Sequence, residues 1–249
     1  MGEAVCVGCE FAPEAVARML WLRRRLLLWF ARNGRSFRWR EPGTTPYQVI
    51  VAEILLQRTT AAAVARAYSG FVERFPSWAA LARAILNDLE DALRPLGLWQ
   101  RKALAFQWLA QAIEANGGVV PRTRKELERL RGIGPYTAGA VLAIVYGRAE
   151  PLLDVNMARL LGRFLGLSEQ SGAGSGQSLN ALALRLVSGK RSLAVNWAVL
   201  DFAALVCRPR RPLCQECPLR KRCQYARLLD LHPTPSAGAP SDSQSAAGR

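Results

Sequence analysis

Four cysteines crowd one stretch near the end of the 249-residue chain: Cys207, Cys214, Cys217 and Cys223, spaced Cys-x6-Cys-x2-Cys-x5-Cys within 17 residues. Thiolates are soft ligands, and four so close can surround one metal centre, either a zinc ion or an iron–sulfur cluster. Structural zinc sites more often show two Cys-x2-Cys pairs; this stretch has one, which favours iron–sulfur. Arg208, Arg210, Arg211, Arg220, Lys221 and Arg222 lie among the cysteines, a composition suited to touching phosphates. Cys6 and Cys9 form a second Cys-x2-Cys pair but have no partner ligands, so they read as spare thiols.

The single histidine, His232, adjoins a Pro/Ser/Ala/Gly-rich stretch and reads as a surface residue. Acid–base chemistry therefore falls to carboxylates or tyrosines. Glu53 is a lone acid in the apolar run Val51-Ala52-Glu53-Ile54-Leu55-Leu56-Gln57-Arg58-Thr59-Thr60. Burial would raise its pKa and suit it to proton transfer; the alternative is an exposed place on an amphipathic helix. A third grouping is Leu130-Arg131-Gly132-Ile133-Gly134-Pro135-Tyr136-Thr137-Ala138-Gly139. Two glycines allow positive φ and close backbone approach, Ile133 can plug the space between two helices, and free N–H groups of the next helix can point at an anion. An ordinary tight turn is the other reading.

These groups need helices to hold them. Apolar residues recur at helical spacing almost throughout and β-branched period-two runs are scarce, so the chain reads as all-α. Helices are expected over Pro13–Ala31, Tyr47–Arg58, Thr60–Arg74, Ser77–Ala84, Asp88–Pro95 and Arg101–Ala115, with a loop over Phe37–Pro46. Thr123-x-x-Glu126 reads as a capping box for a helix ending near Leu130, and Pro135 suits a first helical turn. The Gly/Ser-rich stretch Ser168–Ser178 and the tail from Pro233 read as flexible.

A formal charge of +15 makes a polyanion the first partner to consider, since clustered cations gain affinity by releasing counterions from phosphates. No apolar run approaches the ~20 residues that cross a bilayer, and the start of the chain lacks a signal-peptide pattern. A cytoplasmic, nucleoid-associated monomer with no membrane partner is expected. In that compartment cysteines suit metal ligation better than disulfides.

The hairpin, Glu53 and the cysteine run together resemble the helix-hairpin-helix DNA glycosylases, a superfamily that includes endonuclease III, adenine glycosylases and thymine–guanine mismatch glycosylases. The resemblance spans roughly Phe37 to Tyr225. It implies two helical subdomains with a DNA-binding cleft between them: a bundle over 36–148 carrying the hairpin, and a discontinuous second subdomain from 1–35 and 149–232 carrying the 4Fe-4S loop 207–223. It further implies a 4Fe-4S cluster on the four cysteines and double-stranded DNA as partner, gripped at Gly132, Ile133, Gly134 and Thr137. Arg131 stands where the family usually has proline.

By the same resemblance Asp154, eighteen positions beyond Tyr136, is the carboxylate that stabilises positive charge on the sugar, and it can also cap the following helix. Tyr136 occupies the position where bifunctional relatives carry lysine. A phenol cannot form a Schiff base, so a glycosylase without strong strand-cleaving activity is expected. Glu53 is implied in the base pocket. Gln57 or Arg58 is implied to fill the gap left by a flipped nucleotide; Trp99, Gln100 and Arg101 are placed on a loop that approaches DNA. The run through Thr59-Thr60 with Tyr136 is most similar to the thymine–guanine mismatch enzymes. Adenine opposite 8-oxoguanine or guanine, and a non-catalytic DNA-binding module, are the alternatives; adenine glycosylases generally carry a further C-terminal domain, whereas this sequence stops soon after the cysteines.

Overall fold

A computed structural model describes residues 13–167 and 176–231. Cys6, Cys9, His232 and the tail lie outside these residues. Among the described residues there are twelve α-helices and no strand, as the periodicity leads one to expect. They are α1 (Pro13–Asn33), α2 (Pro46–Leu56), α3 (Ala61–Arg74), α4 (Trp78–Arg83), α5 (Leu86–Leu93), α6 (Trp99–Ala115), α7 (Arg124–Glu128), α8 (Pro135–Ile144), α9 (Val155–Leu165), α10 (Gly176–Val187), α11 (Ser192–Leu205) and α12 (Gln224–Leu231).

Three helices are apolar on nearly every side, and a helix of that kind must be surrounded. In α2, α8 and α11 the buried residues follow almost without interruption. They stack in the order α2, α8, α11 through the middle of the molecule. Apolar side chains gather in two main cores. One runs from α2 to α8 and includes Ile54, Leu55, Phe71, Phe106 and Val141. The other joins Leu22 and Leu26 of α1 to Phe164, Leu186 and Phe202. Ala140, Ala143 and Leu152 form a small cluster, with Tyr136 and Leu200 packed against it.

Helix ends depart from the sequence reading where side chains cap them. Thr45 accepts from the N–H of Gln48 while the Thr45 N–H donates to Gln48 Oε1, a complete capping box that starts α2 at Pro46, one residue before the expected Tyr47. At Thr123 the box is incomplete: its hydroxyl accepts from Glu126 N but then donates to the Glu126 carboxylate at 2.6 Å. The expected loop over Phe37–Pro46 contains a 3₁₀ turn, Arg38–Arg40. α2 stops at Leu56, two residues short of Arg58, because Arg58 adopts a left-handed backbone with φ +53°. α6 begins at Trp99, so Trp99, Gln100 and Arg101 lie in its first turn; the preceding loop ends on Leu98. Only 168–175 of the Gly/Ser stretch lies outside the described residues, and the chain is helical again from Gly176.

Candidate active site

The hairpin between α7 and α8 uses its two glycines differently. Gly132 has φ +90°, and a Cβ there would come within 3.1 Å of the Ala105 Cβ. Gly134 is extended at φ −89°, leaves open space where a Cβ would stand and precedes Pro135 as the N-cap of α8. Positive φ is thus needed once, not twice. Ile133 is buried in the first core, as a plug should be. The first bond within α8 runs from Ala138 N to Gly134 O, leaving the N–H groups of Tyr136 and Thr137 ahead of it. Thr137 is only 3% exposed, enclosed by the apolar surroundings of α8. Arg131 stacks its guanidinium over Trp108 at 4.2 Å.

Beside the hairpin a cleft of about 510 Å³ is lined by Glu53, Tyr136 and Asp154 with Arg40, Gln57 and Arg58. Glu53 reaches it from the buried face of α2 at 7% exposure, excluding the amphipathic alternative. Burial, and secondarily Asp154, push its pKa up to about 7 against the opposing pull of Arg40. Among the described residues no hydrogen bond engages its carboxyl. Tyr136, at the second position of α8, has its phenol pKa raised well above the usual value, mainly by burial and then by Glu53 and Asp154. It therefore remains a neutral O–H at physiological pH.

Asp154 is the N-cap of α9. Its Oδ1 accepts from Asn156 N and Met157 N, both at 2.9 Å, and its Oδ2 accepts from the Asn156 amide. Donors at the positive end of a helix suit a charged carboxylate. The segment before it is pinned by Asn196, fully buried in α11, whose Oδ1 accepts from Leu152 N at 2.8 Å and whose Nδ2 donates to Glu150 O at 2.9 Å. α11 also carries a buried acid. Asp201 takes the Arg35 backbone N–H and the guanidiniums of Arg35 and Arg40, which fixes Arg40 beside Glu53. Asn196, Asp201 and Arg40 were not found by the sequence reading. Yet Asn196 and Asp201 carry the very signal that marked Glu53, a polar residue in an apolar helix.

At the end of α2 the Gln57 amide donates to Gly132 O at 3.1 Å, tying this turn to the hairpin. Arg58 is left exposed. A neighbouring cleft of about 580 Å³ is lined by Gln57, Arg58, Leu98, Arg101 and Gly132. Leu98 is another exposed residue with positive φ, +50°. Gln100 is exposed in the first turn of α6 but lines neither cleft.

Cys207, Cys214, Cys217 and Cys223 line one pocket between α9, α11 and α12. Burial raises the thiol pKa of Cys217 to about 11 and those of Cys214 and Cys223 in the same direction. Among the described residues no three His, Cys, Asp or Glu are gathered tightly enough to hold a single metal ion. α9 grips this region: Arg159 donates to Cys207 O and Ala203 O, and Arg163 to Cys207 Sγ at 3.6 Å and Arg208 O at 2.7 Å.

Residues 51–181 match the model of the HhH-GPD superfamily of base excision DNA repair proteins. The chain belongs to this family. It is 39% identical to a thymine-DNA glycosylase of Aeropyrum pernix over 209 residues, covering 82% of this chain and 93% of that one. It is 32% identical to an adenine DNA glycosylase of Homo sapiens, covering 92% of this chain but 43% of the relative. A solved structure of a thermostable thymine-DNA glycosylase superposes with a TM-score of 0.79 at 30% identity, covering 85% of this chain and 98% of that one.

Proposed function

We propose that the protein is a monofunctional DNA glycosylase of base excision repair that removes thymine or uracil opposite guanine from double-stranded DNA. The observation that carries this reading is the meeting of an unpartnered Glu53 carboxyl, the Tyr136 phenol and the capped Asp154 carboxylate in one cleft. Extruding a base costs a few kcal/mol, least at a mismatch. Arg58, exposed and strained on the rim, is the side chain free to fill the gap, since the Gln57 amide is committed to the hairpin. The hairpin backbone at Gly132–Gly134 and the first turns of α8 and α6 would hold the flanking phosphates.

In the reaction the C1′–N1 bond breaks and the base leaves with the electron pair. Asp154 stabilises the positive charge developing on the sugar and orients the water that adds to C1′. Glu53, near half protonation at neutral pH, gives a proton to the departing base and is restored by the proton that the water releases on adding to C1′. The products are the free base and an intact strand with an abasic site. Tyr136 offers no amine for a covalent adduct. Uracil differs from thymine only by lacking the C5 methyl, so a pocket that holds thymine also has room for uracil. The 39% identity with a thymine-DNA glycosylase supports the pyrimidine assignment. The raised pKa of Glu53 would equally suit protonation of a purine, which keeps adenine as the second reading.

The cysteines are proposed to hold a 4Fe-4S cluster. The single Cys-x2-Cys pair in the run supports iron–sulfur over zinc, and the four thiols line one pocket. The cluster would serve structurally, pinning loop 207–223 against α9. The two cores support a division into 36–148 and a discontinuous remainder. Among the described residues no helix is long and apolar enough to cross a membrane.

One gel series tests the function. Duplexes containing T·G, U·G, A·8-oxoguanine or A·G are incubated with protein and then treated with hot alkali. Breaks at T·G and U·G alone are expected, with none before alkali and no borohydride-trapped adduct. Breaks confined to the adenine lanes would establish the second reading; binding without breaks would leave a DNA-binding module.

A further inference from the structure

Lys102 is the only buried lysine among the described residues, 3% exposed near the start of α6, and the chemistry above makes no use of it. Burial lowers its pKa. Its ammonium donates to Gln57 O at 2.7 Å, to Thr59 Oγ1 at 2.9 Å and to Gly97 O at 3.4 Å. Thr59 Oγ1 in turn donates to Leu96 O at 2.9 Å. Gln57 and Gly97 directly precede Arg58 and Leu98, two of the four non-glycine residues with positive φ among the described residues. One buried cation therefore holds the carbonyl ahead of each strained, exposed side chain, and both side chains border the same cleft. Left-handed backbone at non-glycine residues persists only where surrounding groups over-determine it. Lys102 touches both turns, and the Thr59 hydroxyl, donating to Gln57 O and Leu96 O, backs it.

We propose that Lys102 is a positioning residue for base extrusion: it locks the turns that present Arg58 and Leu98 to the duplex, and so acts on the flipping step without touching the reacting atoms. The specific substrate used below rests on the T·G reading of the preceding section. Flipping can also be read without it, by placing 2-aminopurine beside a stable abasic analogue opposite guanine and following its unstacking on protein binding.

The decisive variant is Lys102→Met, which keeps the side chain's length and removes its donors. Single-turnover excision from a T·G duplex is expected to slow by about 30-fold, within the range that small misplacements produce. Excision of thymine from single-stranded DNA, where nothing is flipped from a stack, should change by less than about threefold. The Arg58→Ala and Lys102→Met changes should be non-additive on T·G, as expected for residues acting through one contact. The 2-aminopurine response should fall in Lys102→Met and return in part in Lys102→Arg. Thr59→Val, a smaller change in the same network, should show the same substrate selectivity more weakly and covers the case in which Lys102→Met does not fold. Equal losses on paired and single-stranded thymine, additive effects with Arg58→Ala, or an unchanged 2-aminopurine response would overturn the proposal. If wild type excises no thymine from T·G, that reading fails, while the fluorescence arm still decides the role of Lys102.

Discussion

Glu53 and Asp154 line the same cleft and are held in opposite ways. Asp154 is bonded on both oxygens by the first turn of its own helix, and α9 is in turn fastened to the cysteine loop through Arg159 and Arg163. Glu53 has apolar packing behind it, no hydrogen bond among the described residues, and Arg40 held at its side by Asp201. A carboxylate bonded on both oxygens is held still; one left unbonded in a dry wall can gain and lose a proton near neutrality. On the proposed function, the same side-chain chemistry would serve once as an electrostatic stabiliser and once as a proton donor.

Removing the support behind Glu53 should have the largest effect. Asp201→Ala strands two guanidiniums around a buried space and should cost roughly 3–5 kcal/mol in urea unfolding. In any folded fraction Arg40 is free to turn toward Glu53, and the alkaline limit of excision should move to lower pH. An unmoved limit would separate Arg40 from the control of Glu53.

Changing either acid should lower single-turnover excision by about 10²–10³-fold, the usual scale for losing a preorganised charge or donor. Their stabilities should diverge. Asp154→Asn retains a capping side chain and should melt within about 1 kcal/mol of wild type. For Glu53 the folded-state pKa is raised, from 4.5 to about 7. Its contribution is therefore present in full below pH ~4.5 and lost as pH rises through ~7, a fall of up to about 3 kcal/mol across that interval. Glu53→Gln should abolish this slope and be the more stable protein at pH 8. Parallel stability profiles for wild type and variant would end the contrast between the two acids.

The smallest effect concerns how Asp154 is aimed. Asn196→Ala leaves two backbone groups of Glu150 and Leu152 without partners and should cost about 1–3 kcal/mol. Excision should fall with no change in its pH profile, since Glu53 is untouched.

The all-α architecture and the hairpin were legible because period and glycine placement are local properties. Glu53 was legible because a charge is conspicuous in an apolar helix. Asp201 and Asn196 offered that clue equally, but their partners, Arg35, Arg40 and the 150–152 backbone, come from distant parts of the chain and no spacing announces them. The early end of α2 was hidden for the same reason. Nothing local forbids helix at Arg58; the competing force is the Lys102 ammonium, 44 residues onward in the sequence.

The single hydrogen bond from Gln57 to Gly132 joins segments 75 residues apart. On the proposed function it makes the phosphate grip and the gap-filling turn one rigid gauge. Wherever the hairpin seats on a phosphate, the probe falls at a set number of nucleotides from it. A protein moving along DNA would then interrogate each step at constant stagger, and loosening this bond would blur the register of inspection before it altered the rate of any bond cleavage.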